Sequence, residues 1–248
     1  MNIRYPLKLS PIICVAFCVL LFMYGRPVGF LLYTKWQIRN EPKLWNVPRP
    51  LSLGAPVPSA GRKFSYFGYE FDSPWTELMR ERKMESVAIL NFSTGGFIEV
   101  LAPSKNENEL DAMKHEAEKR GVDIRNVFGD ETTHSNYALR SKVLSLTPRD
   151  LRLFSSRQEM VANSVLLILK KTEKNHFRGG LFSFRTEWFR GFQDGDPAQD
   201  KMVIVEAFDS QDHKIELYIG SEPAAKSKPS QTDINQILLS LRPASPSQ

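Results

Sequence analysis

The sequence predicts an α+β domain, an antiparallel sheet with helices packed on it, preceded by one transmembrane helix. Three observations lead there. Residues 9–25 form a run of 17 uncharged residues close to the N-terminus. Beyond residue 62, β-rich apolar runs come in consecutive groups, and no strand-helix-strand alternation separates them. Between the groups lie segments whose apolar residues recur with helical spacing.

The uncharged run includes Ile-Ile-Cys-Val-Ala-Phe-Cys-Val-Leu-Leu-Phe-Met. As a helix it is near the shortest that crosses about 30 Å of hydrocarbon, and Lys8 can snorkel outward to let Leu7 join it. A cleaved signal peptide is the alternative. Its small-residue cleavage site is missing, because Met23-Tyr24-Gly25-Arg26-Pro27 offers bulk, charge and proline instead. Ile13 and Phe17, which precede Cys14 and Cys18, do not fit the lipoprotein pattern either. Residues 1–26 are therefore expected to be a retained anchor with a short basic head. Residues 27–61 are expected to be an interfacial segment, with Trp36 at head-group level, and a linker in which Pro48, Pro50, Pro56 and Pro58 impose an extended spacer. Basic residues flank the run on both sides, Arg4 and Lys8 before it and Arg26, Lys35, Arg39 and Lys43 after it. The larger count after the run would draw the domain into the cytoplasm, whereas the short basic head is the signal-anchor layout, and the expectation taken from it is a domain on the extracytoplasmic side.

A net charge of +5 invites a nucleic-acid reading, but its distribution opposes one. Residues 1–43 hold six basic residues against Glu41 alone. The totals of 33 and 28 then leave 27 basic and 27 acidic residues for the rest of the chain. A nucleic-acid binder needs its excess charge on the folded domain. Here the excess flanks the hydrophobic run, where it meets anionic lipid. Both cysteines lie inside that run, so the domain has no thiol for a disulfide, a nucleophile or a zinc site.

A single domain is expected over residues 62–242, followed by a polar tail, 243–248. It opens on an aromatic strand region, 64–71. Ser73 and Pro74 then suggest a cap and first position for a short helix over 75–82. Residues 87–92 and 97–101 are apolar β-rich runs around Ser93-Thr94-Gly95-Gly96, a hairpin. Residues 107–120 predict a surface helix, acidic at its start and basic at its end. Further helical segments follow at 135–146, from Pro148, and at 157–171. The last has Met160, Val161, Val165, Leu166, Ile168 and Leu169 on a face wide enough for a sheet. Strands are expected at 181–189, 202–208 and 214–219, and a final helix at 233–241 with Thr232 as its cap.

The string YFGYEFDSPW, the meander after residue 181 and the closing TDINQILLSLRP resemble the PsbP-like family of antiparallel α/β/α domains. The resemblance covers roughly residues 64–242 in layout. It implies a non-catalytic binding or assembly module at a membrane. Pro74 and Trp75 are adjacent here, a departure from the family's looser spacing, and no family binding residue is carried over.

No reactive constellation stands out. His115, His134, His176 and His213 form no metal-binding pair. Asp209, Asp212 and His213 are spaced to contact a cation across a turn, but a polar hairpin turn explains them without one. Residues 129–135, Gly-Asp-Glu-Thr-Thr-His-Ser, hold an acid, a base and a hydroxyl, and they also supply what a helix N-cap requires. In FRGGLFSFRTEWFRGF, a strand would place Phe182, Phe184 and Trp188 on one face, with Arg185 and Glu187 on the other. Arg185 and Arg190 are the residues expected to meet an acidic partner. No phosphate loop or nucleophile elbow is present.

The expected function is a membrane-tethered, non-catalytic module with a protein partner, no cofactor, no metal and no nucleic acid. A small-molecule or lipid carrier with a cavity between sheet and helices is the alternative. A hydrolase built from distant acids and histidines is third.

Overall fold

Eight strands line up in the order β1-β7-β8-β9-β10-β6-β5-β4, and three more form a second, small sheet. The computed structural model describes residues 11–55, 61–102, 115, 119, 121, 123–153, 155–172, 180–223, 225 and 227–244, with the side chains of residues 11–24 and 133 left out. In chain order the elements are helix α1 (Pro11–Ile38), a 3-10 turn (Pro42–Trp45), β1 (Arg49–Pro50), β2 (Arg62–Tyr66), β3 (Tyr69–Ser73), β4 (Leu78–Lys83), β5 (Val87–Phe92) and β6 (Gly96–Leu101). Two one-turn helices follow, α2 (Ile124–Phe128) and α3 (Asp130–His134). After them come α4 (Asn136–Ser145), α5 (Arg157–Thr172), β7 (Leu181–Arg185), β8 (Arg190–Asp194), β9 (Met202–Phe208), β10 (Lys214–Ser221), α6 (Gln231–Ser240) and β11 (Arg242–Pro243).

The chain is α+β, with helices packed on a large sheet. That sheet is mixed rather than antiparallel throughout, because β1 runs parallel to β7. The source of β1 is the stretch expected to be a spacer. Leu51 N donates to Ser183 O at 2.8 Å, Asn235 holds the carbonyls of Ser52 and Leu53, and Leu44 is fully buried. Around Pro48 and Pro50 the backbone is extended, as expected, but there the chain lies on the domain instead of standing off it; Pro56 and Pro58 lie outside the described residues.

Alternation sets the two faces of the sheet. On one, Leu90, Ile98, Val100, Val205, Leu217 and Ile219 pack against Ile234, Ile237 and Leu238 of α6 and against the β2–β3 hairpin. That hairpin turns through Phe67 and Gly68, both at positive φ, where glycine is at ease. On the other face, Leu144 and Tyr137 of α4 meet Leu181, Phe192 and Phe208. The opposite side of α4, at Leu139 and Val143, joins Leu31 and Ile38 of α1, Leu44, and Met160 and Leu167 of α5. The apolar face of α5 therefore lies in a helical layer with α1 and α4, not against the sheet as expected.

Other expectations change for local reasons. Residues 75–82 do not form a helix: Leu-Met-Arg-Glu-Arg-Lys pairs as β4 with β5, and the Ser73 hydroxyl accepts from Trp75 N in a tight turn. The strand expected at 181–189 ends as β7 at Arg185, since Thr186 Oγ1 accepts from Phe189 N and turns the chain into β8, which lies beyond the expected strand. Gly191 permits the approach of β8 to β9, for a Cβ there would overlap the Glu206 carbonyl. The cap of α6 is Ser230, which exchanges hydrogen bonds with Asp233 in a capping box, rather than Thr232. The helix expected at 107–120 falls almost wholly outside the described residues.

Helix α1 runs unbroken through Pro27. Most of the uncharged run 9–25 lies where side chains are not described. Among the described residues no helix is long and apolar enough to cross a membrane.

Candidate functional site

Three polar features far apart in the sequence meet at one end of the large sheet: the β7–β8 turn, the β9–β10 turn and the start of α4. The β9–β10 turn is organised by Asp209, whose carboxylate accepts from Gln211 N at 2.8 Å and His213 N at 2.9 Å. This closes the turn with Asp212 at a φ of 66°. Asp212 accepts from the Ser135 hydroxyl at 3.0 Å, from Tyr137 N at 3.2 Å and from Asn136 N. A carboxylate is thereby seated on the unsatisfied N–H groups and positive end of α4.

Arg190 completes the cluster. Its Nη2 is 3.5 Å from Asp212 Oδ1 and 3.4 Å from Ser135 Oγ, and its guanidinium lies 4.2 Å from the Tyr137 ring centroid. Arg185 stands directly opposite Arg190 in the β7–β8 ladder, on the same face of the sheet. The two arginines expected to meet a partner are therefore brought together, but in different roles. Arg190 clamps α4 to the sheet. Arg185 is exposed, and beside it Trp188 is 48% exposed on the turn. Trp188 thus does not join buried Phe184 in the core, because the hairpin turn carries it outward.

Neither polar loop assembles a nucleophile. The Ser135 hydroxyl donates to the Asp212 carboxylate and accepts from Ala138 N, as an N-cap does. His213 Nδ1 lies 3.3 Å from Asp209 Oδ2, with His213 exposed on the turn and Asp209 largely buried beneath it. His134 Nδ1 is 2.9 Å from the Asp130 carbonyl within its own one-turn helix. Tyr69 donates to Asp209 at 3.2 Å. Burial first, and the nearby Asp209 charge second, push the Tyr69 hydroxyl up to about 12. Among the described residues no three His, Cys, Asp or Glu side chains converge as metal ligands.

Two further polar groups were not singled out in the sequence. Arg140 forks onto Glu206 at 2.6 and 2.8 Å between α4 and β9. Burial raises the Glu206 carboxyl, while the Arg140 charge opposes that rise. The crevice they line measures about 20 Å³, room for one water at most. Lys170 is 1% exposed, and its Nζ donates to the carbonyls of Asn46 at 2.8 Å, Leu144 at 2.7 Å and Leu146 at 2.7 Å, with Leu44 O at 3.5 Å. Its signal was positional: residue 170 falls on the buried helical stripe of Met160 and Leu167.

No family model, no curated protein and no solved structure matches the chain.

Proposed function

We propose that the chain is a membrane-tethered, non-catalytic binding or assembly module, with its domain on the extracytoplasmic side. The observation that carries this reading is the docking of α1. Leu31, Thr34 and Ile38 are buried on one side of the helix, while Leu32, Tyr33 and Trp36 are each more than half exposed on another. Arg39 lies 5.7 Å from the Trp36 ring. Aromatic rings paired with basic side chains suit the head-group layer of a bilayer. The same helix leads back into the uncharged run, so one continuous element would carry a single transmembrane helix into the core of the domain. A PsbP-like ancestry fits this placement and rests on layout and end motifs alone.

The ligand of the module is a protein that meets the end of the sheet at Arg185 and Trp188. The crevice of about 20 Å³ between α4 and the sheet favours this over the carrier alternative. Co-purification of the full chain from its native membranes in a mild detergent tests the proposal. A specific protein retained by the native chain and lost from Arg185→Glu is the expected result. A bound lipid or metabolite with no protein partner would favour the carrier, and neither would sink both.

A further inference from the structure

A second, larger cavity of about 490 Å³ opens between α1 and the first turn of α5. Arg26, Arg157 and Gln158 line it on the polar side, and Pro27, Phe30 and Val161 on the apolar side. Gly121 completes the lining; none of the described lining residues is a carboxylate, and among the described residues neither arginine forms an ion pair. The volume falls in the range of small-molecule sites, roughly 300–1,000 Å³.

We infer that this cavity binds the anionic phosphate head group of a membrane phospholipid. Two guanidinium forks facing one cavity from different helices match the oxygens of a phosphate, which they can bond bidentately. The apolar half suits the glycerol and the first methylenes of an acyl chain, a need that free phosphate does not have. Position supplies the third argument. Arg26 is the first charged residue after the uncharged run 9–25 on the same continuous helix. A cavity one residue beyond the end of a membrane-length run lies at head-group depth. This third argument rests on the tethered reading; the first two do not.

The test titrates the full chain in a maltoside detergent with short-chain phosphatidylglycerol, short-chain phosphatidylcholine and inorganic phosphate, followed by calorimetry. Phosphatidylglycerol should bind, with the other two weaker by about tenfold or more. Arg26→Gln and Arg157→Gln should each weaken phosphatidylglycerol about tenfold, and Lys201→Gln, on an exposed loop away from the cavity, should not. Circular dichroism confirms that each variant is folded. Equal affinity for phosphatidylcholine, or indifference to both arginine substitutions, overturns the inference. Inorganic phosphate binding as tightly as phosphatidylglycerol overturns the lipid assignment. Alkaline extraction of membranes carrying the same chain separates the two readings. Release into the supernatant with phosphatidylglycerol binding intact would remove the tether and leave the pocket. Retention in the pellet without anionic preference would remove the pocket and leave the tether.

Discussion

The two faces of the large sheet are held in different ways. Under α6 and the β2–β3 hairpin the packing is mainly carbon on carbon and uncharged, with Leu90, Val205, Ile237 and Leu238 fully buried, a neutral amide pair between Gln193 and Gln231, and α6 secured at its start by the Ser230–Asp233 box. On the other side, α4 is fastened by charge. Asp212 and Arg190 hold its beginning, Arg140 and Glu206 its middle, and Lys170 the carbonyls at its end. Apolar burial is non-directional and tolerates small shifts. A buried ammonium or ion pair is directional and strongly destabilising when one partner is lost. The helical layer is thus assembled with a defined position, as suits a part of the molecule that connects α1 to the sheet.

The largest expected effect comes from Lys170→Met. It preserves length and apolar volume but leaves the carbonyls of Asn46, Leu144 and Leu146 without their donor. Denaturant unfolding of the full chain in mild detergent should show a loss of about 3–5 kcal/mol. Limited proteolysis should then cut near residues 45–53, since that stretch loses one of its ties. If Lys170→Met unfolds no more easily than the native chain, the fastening by charge is not what holds this layer.

Leu238→Ala sharpens the contrast from the other face. A fully buried leucine truncated in a carbon core costs about 2–5 kcal/mol. The segment 45–53 should nonetheless keep its native resistance to protease when the variant is folded. Cleavage there in both variants would show that the two faces are not separable.

Asp212→Ala should be milder, about 1–2 kcal/mol, because it removes a cap from α4 and a neighbour from Arg190. Hydrogen exchange should rise at the start of α4 and leave α6 unchanged.

The smallest effect is alkaline. Tyr69 beside Asp209, and Tyr218 beside Glu216, are both raised from 10.0 to about 12, burial being the first cause in each. A raised folded value means that each contributes stability fully below pH 10, lost as pH climbs through about 12. Near-ultraviolet absorbance should show at least three tyrosines ionising late, because burial and the Glu81 carboxylate raise Tyr66 further still, and Tyr69→Phe should remove one of them. Ionisation of all tyrosines at the ordinary value would contradict their burial.

Much of this architecture could be read from residues close in sequence. The hairpin of β5 and β6 follows from alternation around Ser93-Thr94-Gly95-Gly96, and α4 and α5 follow from apolar spacing and caps. What could not be read depends on distant partners. Leu78–Lys83 has helix-forming residues, and only pairing with β5 makes it a strand. Ser135 caps α4 from within the loop 129–135, as the sequence suggested, but the Asp212 carboxylate that joins it lies 76 residues beyond Asn136, so the loop and the turn at 209–213 appeared as separate candidates. Arg185 and Arg190 were found together because their hairpin is local. Their different roles were hidden, since Arg190 is engaged by Asp212 and Tyr137 across the fold.

As proposed above, the continuous helix α1 joins the bilayer to the domain, with its outer face at head-group depth. Quenching of Trp36 by lipids brominated near the head group tests it most directly. The full chain, with Trp45, Trp75 and Trp188 replaced by phenylalanine, would be reconstituted in vesicles beside a variant that keeps only Trp188. Strong quenching and a blue shift for Trp36, with none for Trp188, is the predicted result. A vesicle-bound chain whose Trp36 is quenched no more than Trp188 would contradict the account.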